Sequence, residues 1–201
     1  MVKNTKRPRG RPRTFDEGEA IRMATKVFWR KGFDGATIDD LVEGMGVRRP
    51  SLYAIFGDKS TLFMRCLAAY RDNLGKRGVG VLFGPNDVRE AIRSLLRFSV
   101  ERATDHGSPL GCLMVCVAAL VEDENVRRFV ATANEETTAA VAMRLKQGVE
   151  AKELPVDFPC EDRSRMLLDM SRGLVVRARI GVPRQELLED ADRAAELLLR
   201  V

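Results

Sequence analysis

The chain has 201 residues, 45% hydrophobic and 31% charged but only 6% aromatic, with a formal net charge of +5. That balance fits a packed protein with a real core and excludes wholesale disorder. No apolar run approaches the roughly 18 residues a membrane-spanning helix needs, the longest being Cys112 to Val121. The basic excess is localised. Residues 1–65 carry 14 Lys and Arg against 8 Asp and Glu, a balance of +6, whereas the remainder carries 20 against 21. This is the footprint of a nucleic-acid-binding segment joined to a neutral region with another task. The basic N-terminus has no apolar stretch behind it, so no signal peptide is expected. The expected location is the cytoplasm, in association with the nucleoid, with four reduced cysteines.

Residues 1–14 hold six Lys or Arg, no acid and almost nothing apolar, a composition that predicts a disordered arm. Within it, Pro8-Arg9-Gly10-Arg11-Pro12 matches the core of an AT-hook, with Arg9 and Arg11 suited to the floor of a narrow minor groove. A generic basic tail contacting phosphates explains the same residues.

Asp16 to Arg30 predicts a first helix, with Ala20, Ile21, Ala24, Val27 and Phe28 at helical spacing and Gly32 as the stop. A second starts at Thr37, whose hydroxyl can cap it while Asp40 stands three residues on. Gly44-Met45-Gly46 breaks that helix, and Arg48 to Phe56 form a short third with Pro50 in its first turn. Two short helices across a glycine turn describe a helix-turn-helix. Asp58 caps a fourth helix through Phe63, Leu67 and Tyr70, expected to end in the glycine-rich stretch Gly75 to Gly84. Further helices are predicted near Asp87 to Thr104, Leu110 to Glu122, Asn125 to Ala151, Glu161 to Ile180 and Arg184 to Leu199, with Pro155 and Pro159 bracketing a loop. The chain therefore reads as all-α, with about nine helices. The division adopted is an arm over 1–14, a helix-turn-helix domain over 15–58 and a helical regulatory and dimerisation domain over 59–201.

The stretch TIDDLVEGMGVRRPSLYAIFGDKSTLF, from Thr37 to Phe63, resembles the TetR family of bacterial repressors. The resemblance is carried by Thr37, Gly46, Val47, Ser51, Leu52, Tyr53, Phe56, Lys59, Leu62 and Phe63. It implies a homodimeric transcriptional regulator on a near-palindromic operator in double-stranded DNA, released by a small-molecule effector. Two departures stand out: Arg48 where relatives often cap the recognition helix with a hydroxyl, and Ala54-Ile55 where many carry His or a second aromatic.

In a helix-turn-helix the second helix enters the major groove with its N-terminal residues against base edges. Arg48, Arg49, Pro50, Ser51 and Tyr53 are then nearest the DNA. Arg49 is the candidate for bidentate readout of guanine, with a phosphate or solvent contact as the alternative. The resemblance makes Tyr53 and Lys59 phosphate clamps, and Thr37 offers a helix N-terminus to the backbone.

By the same resemblance the effector site lies among the central helices, for which the apolar candidates are Phe83, Leu95, Phe98, Leu113, Val117, Phe129 and Met143. Plain core is the competing explanation. The resemblance also places the dimer helices at Glu161–Ile180 and Arg184–Leu199, with Leu167, Met170, Leu174, Leu187, Ala191, Ala194 and Leu198 on stripes of helical spacing. Those stripes would equally serve to close the chain's own core. Cys112 and Cys116, four apart in a predicted helix, support thiol-based regulation. Against this, free cysteine is commonly a small buried hydrophobe, and no Lys or Arg lies within several residues to lower the thiol pKa. His106 with these cysteines makes only three ligands, too few for a convincing metal site. No metal or cofactor is expected.

An enzyme is disfavoured, with one histidine and neither a nucleophile elbow nor a phosphate loop. An architectural protein led by the arm, binding AT-rich DNA with little sequence preference, is the remaining alternative.

Overall fold

The computed structural model describes residues 16–85 and 87–200. Among these, nine α-helices and one short 3-10 turn follow one another, with no strand. The arm, with Arg9 and Arg11, lies outside the described residues.

The first three helices form the helix-turn-helix unit. α1 (Glu17–Gly35) is capped by Asp16 and carries a break at Gly32, with φ 76° and ψ 171°. The expected stop is therefore a kink after which one more turn forms. α2 (Ile38–Met45) begins on a reciprocal capping box, in which the Asp40 N–H donates to the Thr37 hydroxyl at 3.1 Å and the Thr37 N–H to Asp40 Oδ2 at 3.0 Å. The turn that follows depends on Gly46 at φ 65° and ψ 31°, a left-handed conformation costly for any residue with a Cβ. α3 (Arg49–Phe56) starts from an extended Arg48 that makes no side-chain cap, as the departure from the family pattern foresees.

α4 (Lys59–Phe83) departs from expectation by running unbroken through Gly75, Gly78 and Gly80. Each interior glycine costs a helix about 1 kcal/mol. The later turns compensate by packing on α5, with Leu82 buried. α5 (Val88–Ala103) lies mainly on α9 (Arg184–Leu198), and α7 (Glu124–Glu150) mainly on α8 (Cys160–Arg179).

The predicted helix from Leu110 to Glu122 is a second correction. Only Leu113–Cys116 is helical (α6), followed by a 3-10 turn at Ala118–Leu120. Gly111 sits at φ 88°, and a Cβ there would stand 2.9 Å from Cys116 Sγ and 3.1 Å from Arg179 Cβ, so the backbone is both twisted and crowded where the helix would have started.

Two apolar clusters make the core. One lies among α5, α7, α8 and α9. The other holds Phe28, Trp29, Leu41, Leu52, Phe56 and Phe63 of the first four helices, and it runs on into Leu113, Val117, Ala118, Val121 and Val126. Phe28 and Phe63 meet edge-on at 4.9 Å, and Phe33 and Phe63 meet at a tilt of 46° with centroids 5.0 Å apart. The helix-turn-helix thus shares its core with α6 and the start of α7.

Two expectations follow for α2. Replacing Thr37 by Ala lowers unfolding free energy by about 1 kcal/mol, read from urea denaturation with m unchanged. Hydrogen bonds to Asp40 from Lys31, then from the Thr37 N–H and hydroxyl, hold its carboxyl down at about 2. Its folded value lies below the unfolded one, so its contribution is present above about pH 4 and is lost as pH falls through 2. An NMR titration should place the Asp40 midpoint near 2, and a midpoint near 4 would mean the box is open in solution.

Candidate nucleic-acid interface and the cavity behind it

α3 is held by its inner side. Leu52 and Phe56 are fully buried, so the opposite side is fixed outward, with Arg48, Arg49, Pro50 and Tyr53 exposed and Ser51 half-buried. One feature of this side has no local signal in the sequence. Arg49 Nη2 makes an ion pair with Asp39 Oδ1 at 2.7 Å, both side chains remaining well exposed. An exposed pair of this kind is weak, so Asp39 parks the guanidinium without withholding it from a stronger acceptor. Asp39 and Asp40 also make the first turn of α2 acidic. Lys31 offsets Asp40 at 2.6 Å, and the Thr37 N–H is committed to Asp40. Lys59 is held as well: its ammonium lies 4.7 Å from the centroid of the Phe33 ring and donates to the Asp34 carbonyl at 3.4 Å.

Behind this unit lies a cavity of about 700 Å³ between α4, α5, α7 and α8. Of the seven residues anticipated from sequence, Leu95 and Phe98 line it. The other five fall elsewhere. Leu113 and Val117 belong to the core shared with the helix-turn-helix, and Phe83 packs on the other core cluster. Phe129 lies under the Arg71 guanidinium, 5.0 Å away, and Met143 is exposed. The lining includes polar residues no local pattern indicated: Tyr70 and Arg71 of α4, Ser99 and Arg102 of α5, Asn134, Glu136 and Thr137 of α7, Ser171 and Arg172 of α8.

Cys112 lines the cavity, and Cys116 is not among its lining residues. The Tyr70 hydroxyl donates to Cys112 Sγ at 3.3 Å, and the Arg102 guanidinium lies 5.6 Å from the Tyr70 ring centroid. Burial pushes the Cys112 thiol up, opposed by the Tyr70 hydroxyl and the N–H groups of Val115 and Met114, so the resting group is the neutral thiol. Burial pushes Cys66 up to about 12, against an opposing hydrogen bond with Thr25. Cys160 is also buried and raised. All four cysteines are free. Among the described residues no group of three or more His, Cys, Asp or Glu is placed to hold a metal, and no helix is long and apolar enough to cross a membrane.

The stripes on α8 and α9 take the alternative reading. Leu167, Leu174, Leu187, Ala191 and Leu198 are buried within this chain, and Met170 and Ala194 are half-buried against the same cluster. The large apolar side chains left outward here are Met166 and Val176 of α8, Ile180 just past its end, and Leu197 of α9. Helical spacing marks an apolar face but does not say whether it meets the same chain or another.

Comparison with known proteins accounts for this arrangement. A family model described as bacterial regulatory proteins of the tetR family matches residues 20–66, from α1 to the second turn of α4. The HTH-type transcriptional repressor ComR of Escherichia coli (strain K12) is 26% identical over 195 residues, covering 96% of this chain and 93% of the relative. A cysteine-substituted form of the TetR family transcriptional regulator CifR, solved with 26-bp double-strand operator DNA, is 36% identical with a TM-score of 0.86, covering 93% of this chain and 98% of that one. A TetR regulator from Rhodococcus sp. RHA1 is 31% identical with a TM-score of 0.64, covering 90% of this chain and 98% of that one. The chain belongs to the TetR family and is a DNA-binding transcriptional regulator.

Proposed function

We propose that this regulator is a dimeric repressor that grips a near-palindromic operator with its two α3 helices. It releases the operator when a ligand fills the cavity or when the thiol at the cavity wall is modified. The observation that carries the reading is the α3 side itself: an outward Arg48, Arg49, Pro50 and Tyr53 on a short helix immobilised by Leu52 and Phe56. The CifR neighbour was solved on operator DNA, which supports the same use of the corresponding helix here. Arg49 leaves Asp39 to read guanine, Pro50 or Ser51 meets a thymine methyl or a base edge, and Arg48, Tyr53 and Lys59 position the unit on phosphates. Thr37 contributes only if a phosphate displaces Asp40 from its N–H. Arg9 and Arg11 of the arm add minor-groove or phosphate contacts.

One such unit reads only a few base pairs, so two are needed, with α3 helices roughly 34–36 Å apart on successive major-groove faces. The outward apolar residues on or next to α8 and α9, Met166, Val176, Ile180 and Leu197, offer the self-complementary surface for that pairing. They replace the buried stripe anticipated from sequence. Residues 15–58 act as the DNA-binding domain and 59–201 as the regulatory and dimerisation domain. The cytoplasm and nucleoid are the corresponding location.

The deciding experiment is selection of genomic fragments by the full chain at fixed salt, with oxidant and with reductant. A near-palindrome recovered in both states assigns control to a cavity ligand, and one released only under oxidation assigns it to a thiol, with Cys112 and Cys116 the residues to substitute next. AT-rich fragments without a palindrome would sink the repressor reading. On the selected site, Arg49→Ala should weaken binding by about ten- to a hundred-fold and relax preference at one base pair per half-site. A uniform loss across sequences would make Arg49 a phosphate contact. Deleting residues 1–13 should lower affinity and flatten the salt dependence by about 0.9 log units for each phosphate no longer neutralised, with site preference kept. Loss of nearly all binding would move recognition to the arm.

A further inference from the structure

The effector cavity carries an uncompensated positive charge. Its ionic lining consists of Arg71, Arg102 and Arg172 against the single carboxylate Glu136. Arg172 is satisfied by Asn134 and Asp169. Arg71 stacks on Phe129 and holds Asp72 and Glu136 loosely, at 3.7 and 3.8 Å. Arg102 differs from both. Among the described residues it has no carboxylate in ion-pair distance, and its Nε is buried without an acceptor. Its one close partner is the Tyr70 side chain. Arg102 as a residue is half-buried, and its Nε, a buried donor without an acceptor, costs free energy.

Around this cation the wall is apolar. Leu74, Val79 and Leu82 come from α4 and Leu95 and Phe98 from α5. Gly75 and Gly78 of α4 face the same space, and a Cβ added at either would meet nothing within 4 Å. The helix interior that tolerates two glycines thereby keeps the space open beside the apolar wall.

We propose that the effector is an amphipathic organic acid whose carboxylate sits on Arg102 beside the Tyr70 hydroxyl and whose apolar body lies along the α4 glycines. The inference rests on the cavity being the effector site and names the chemical class that site takes. A carboxylate supplies Arg102 with the missing counter-charge and its Nε with an acceptor, and such charge-assisted bonds are the strong ones. It also gives the Tyr70 hydroxyl an acceptor other than the Cys112 sulfur.

The test is calorimetric titration of the full chain, without DNA, with sodium octanoate, 1-octanol and octylamine at fixed salt. Octanoate should bind at least about ten-fold more tightly than octanol, and octylamine should not bind. Arg102→Gln should erase the advantage of octanoate while leaving octanol binding in place, and Arg102→Lys should keep part of it. Gly78→Leu, which fills open space on a helix, should weaken octanoate and octanol alike. Equal binding of octanoate and octanol, an advantage that survives Arg102→Gln, octanoate binding indifferent to Gly78→Leu, or no octanoate binding would each overturn the proposal. Because no DNA is present, these results stand apart from the repressor reading. Operator release by an uncharged compound would leave that reading intact while this one falls.

Discussion

Tyr70 meets Trp29 of α1 edge-on, with centroids 5.2 Å apart and planes at 85°, and this contact joins the two halves of the molecule. The same side chain lines the cavity, donates to Cys112 and lies under Arg102. The cavity wall and the helix-turn-helix core therefore share a residue. A second tie runs beside it: Arg179 of α8 donates to the carbonyls of Leu110 at 3.1 Å and of Trp29 at 3.3 Å. α1 is thus pinned both to α4 and to α8. Because α1 packs against both α2 and α4, and α3 packs on those same two helices, these contacts link the cavity wall to the frame that carries α3.

The continuity of α4 gives this arrangement its reach. A break at the glycines would have decoupled the helix-turn-helix end from the cavity end. One unbroken helix from Lys59 to Phe83 makes a shift at Val79 or Leu82 a shift at Tyr70 too. Close-packed interfaces rearrange between discrete states rather than deforming smoothly. The glycines supply space for a ligand and the helix supplies stiffness, two demands that the sequence alone places in opposition.

The DNA-binding unit was legible because its signals are local. The Thr37 cap, the Gly46 turn and the spacing of Leu41, Leu52 and Phe56 each specify structure within a few residues, and together they carry the family resemblance. The cavity was not legible, because Tyr70, Arg102, Asn134 and Ser171 come from four helices and converge only when those helices pack. Periodicity also misled in definite ways. From Leu110 to Glu122 the apolar spacing continues, but Gly111 at φ 88° and its crowded surroundings confine the helix to Leu113–Cys116. On α8 and α9 the stripe was correctly seen as apolar and wrongly sent outward, since period 3.6 is identical for a core and for an interface. The thiol argument shifts for the same reason: no cation neighbours Cys112 in sequence, yet folding sets Arg102 over the Tyr70 ring that touches its sulfur.

Release of DNA demands more than occupancy of the cavity. A ligand moves a two-state equilibrium only by the ratio of its affinities for the two states, and a swing from 1:99 to 99:1 takes about a 10⁴-fold ratio. Apolar filling of a preformed space gives little discrimination, because the wall is present in either state. An unsatisfied cation does better, provided its surroundings differ between the states. Arg102 lies against Tyr70, which meets Trp29 on one side and Cys112 on the other, so a carboxylate held at Arg102 would act beside the contact that joins the cavity wall to α1. On the proposed effector, charge at Arg102 adds discrimination at Tyr70 to whatever apolar contacts along Leu74 and Val79 transmit through the same unbroken α4.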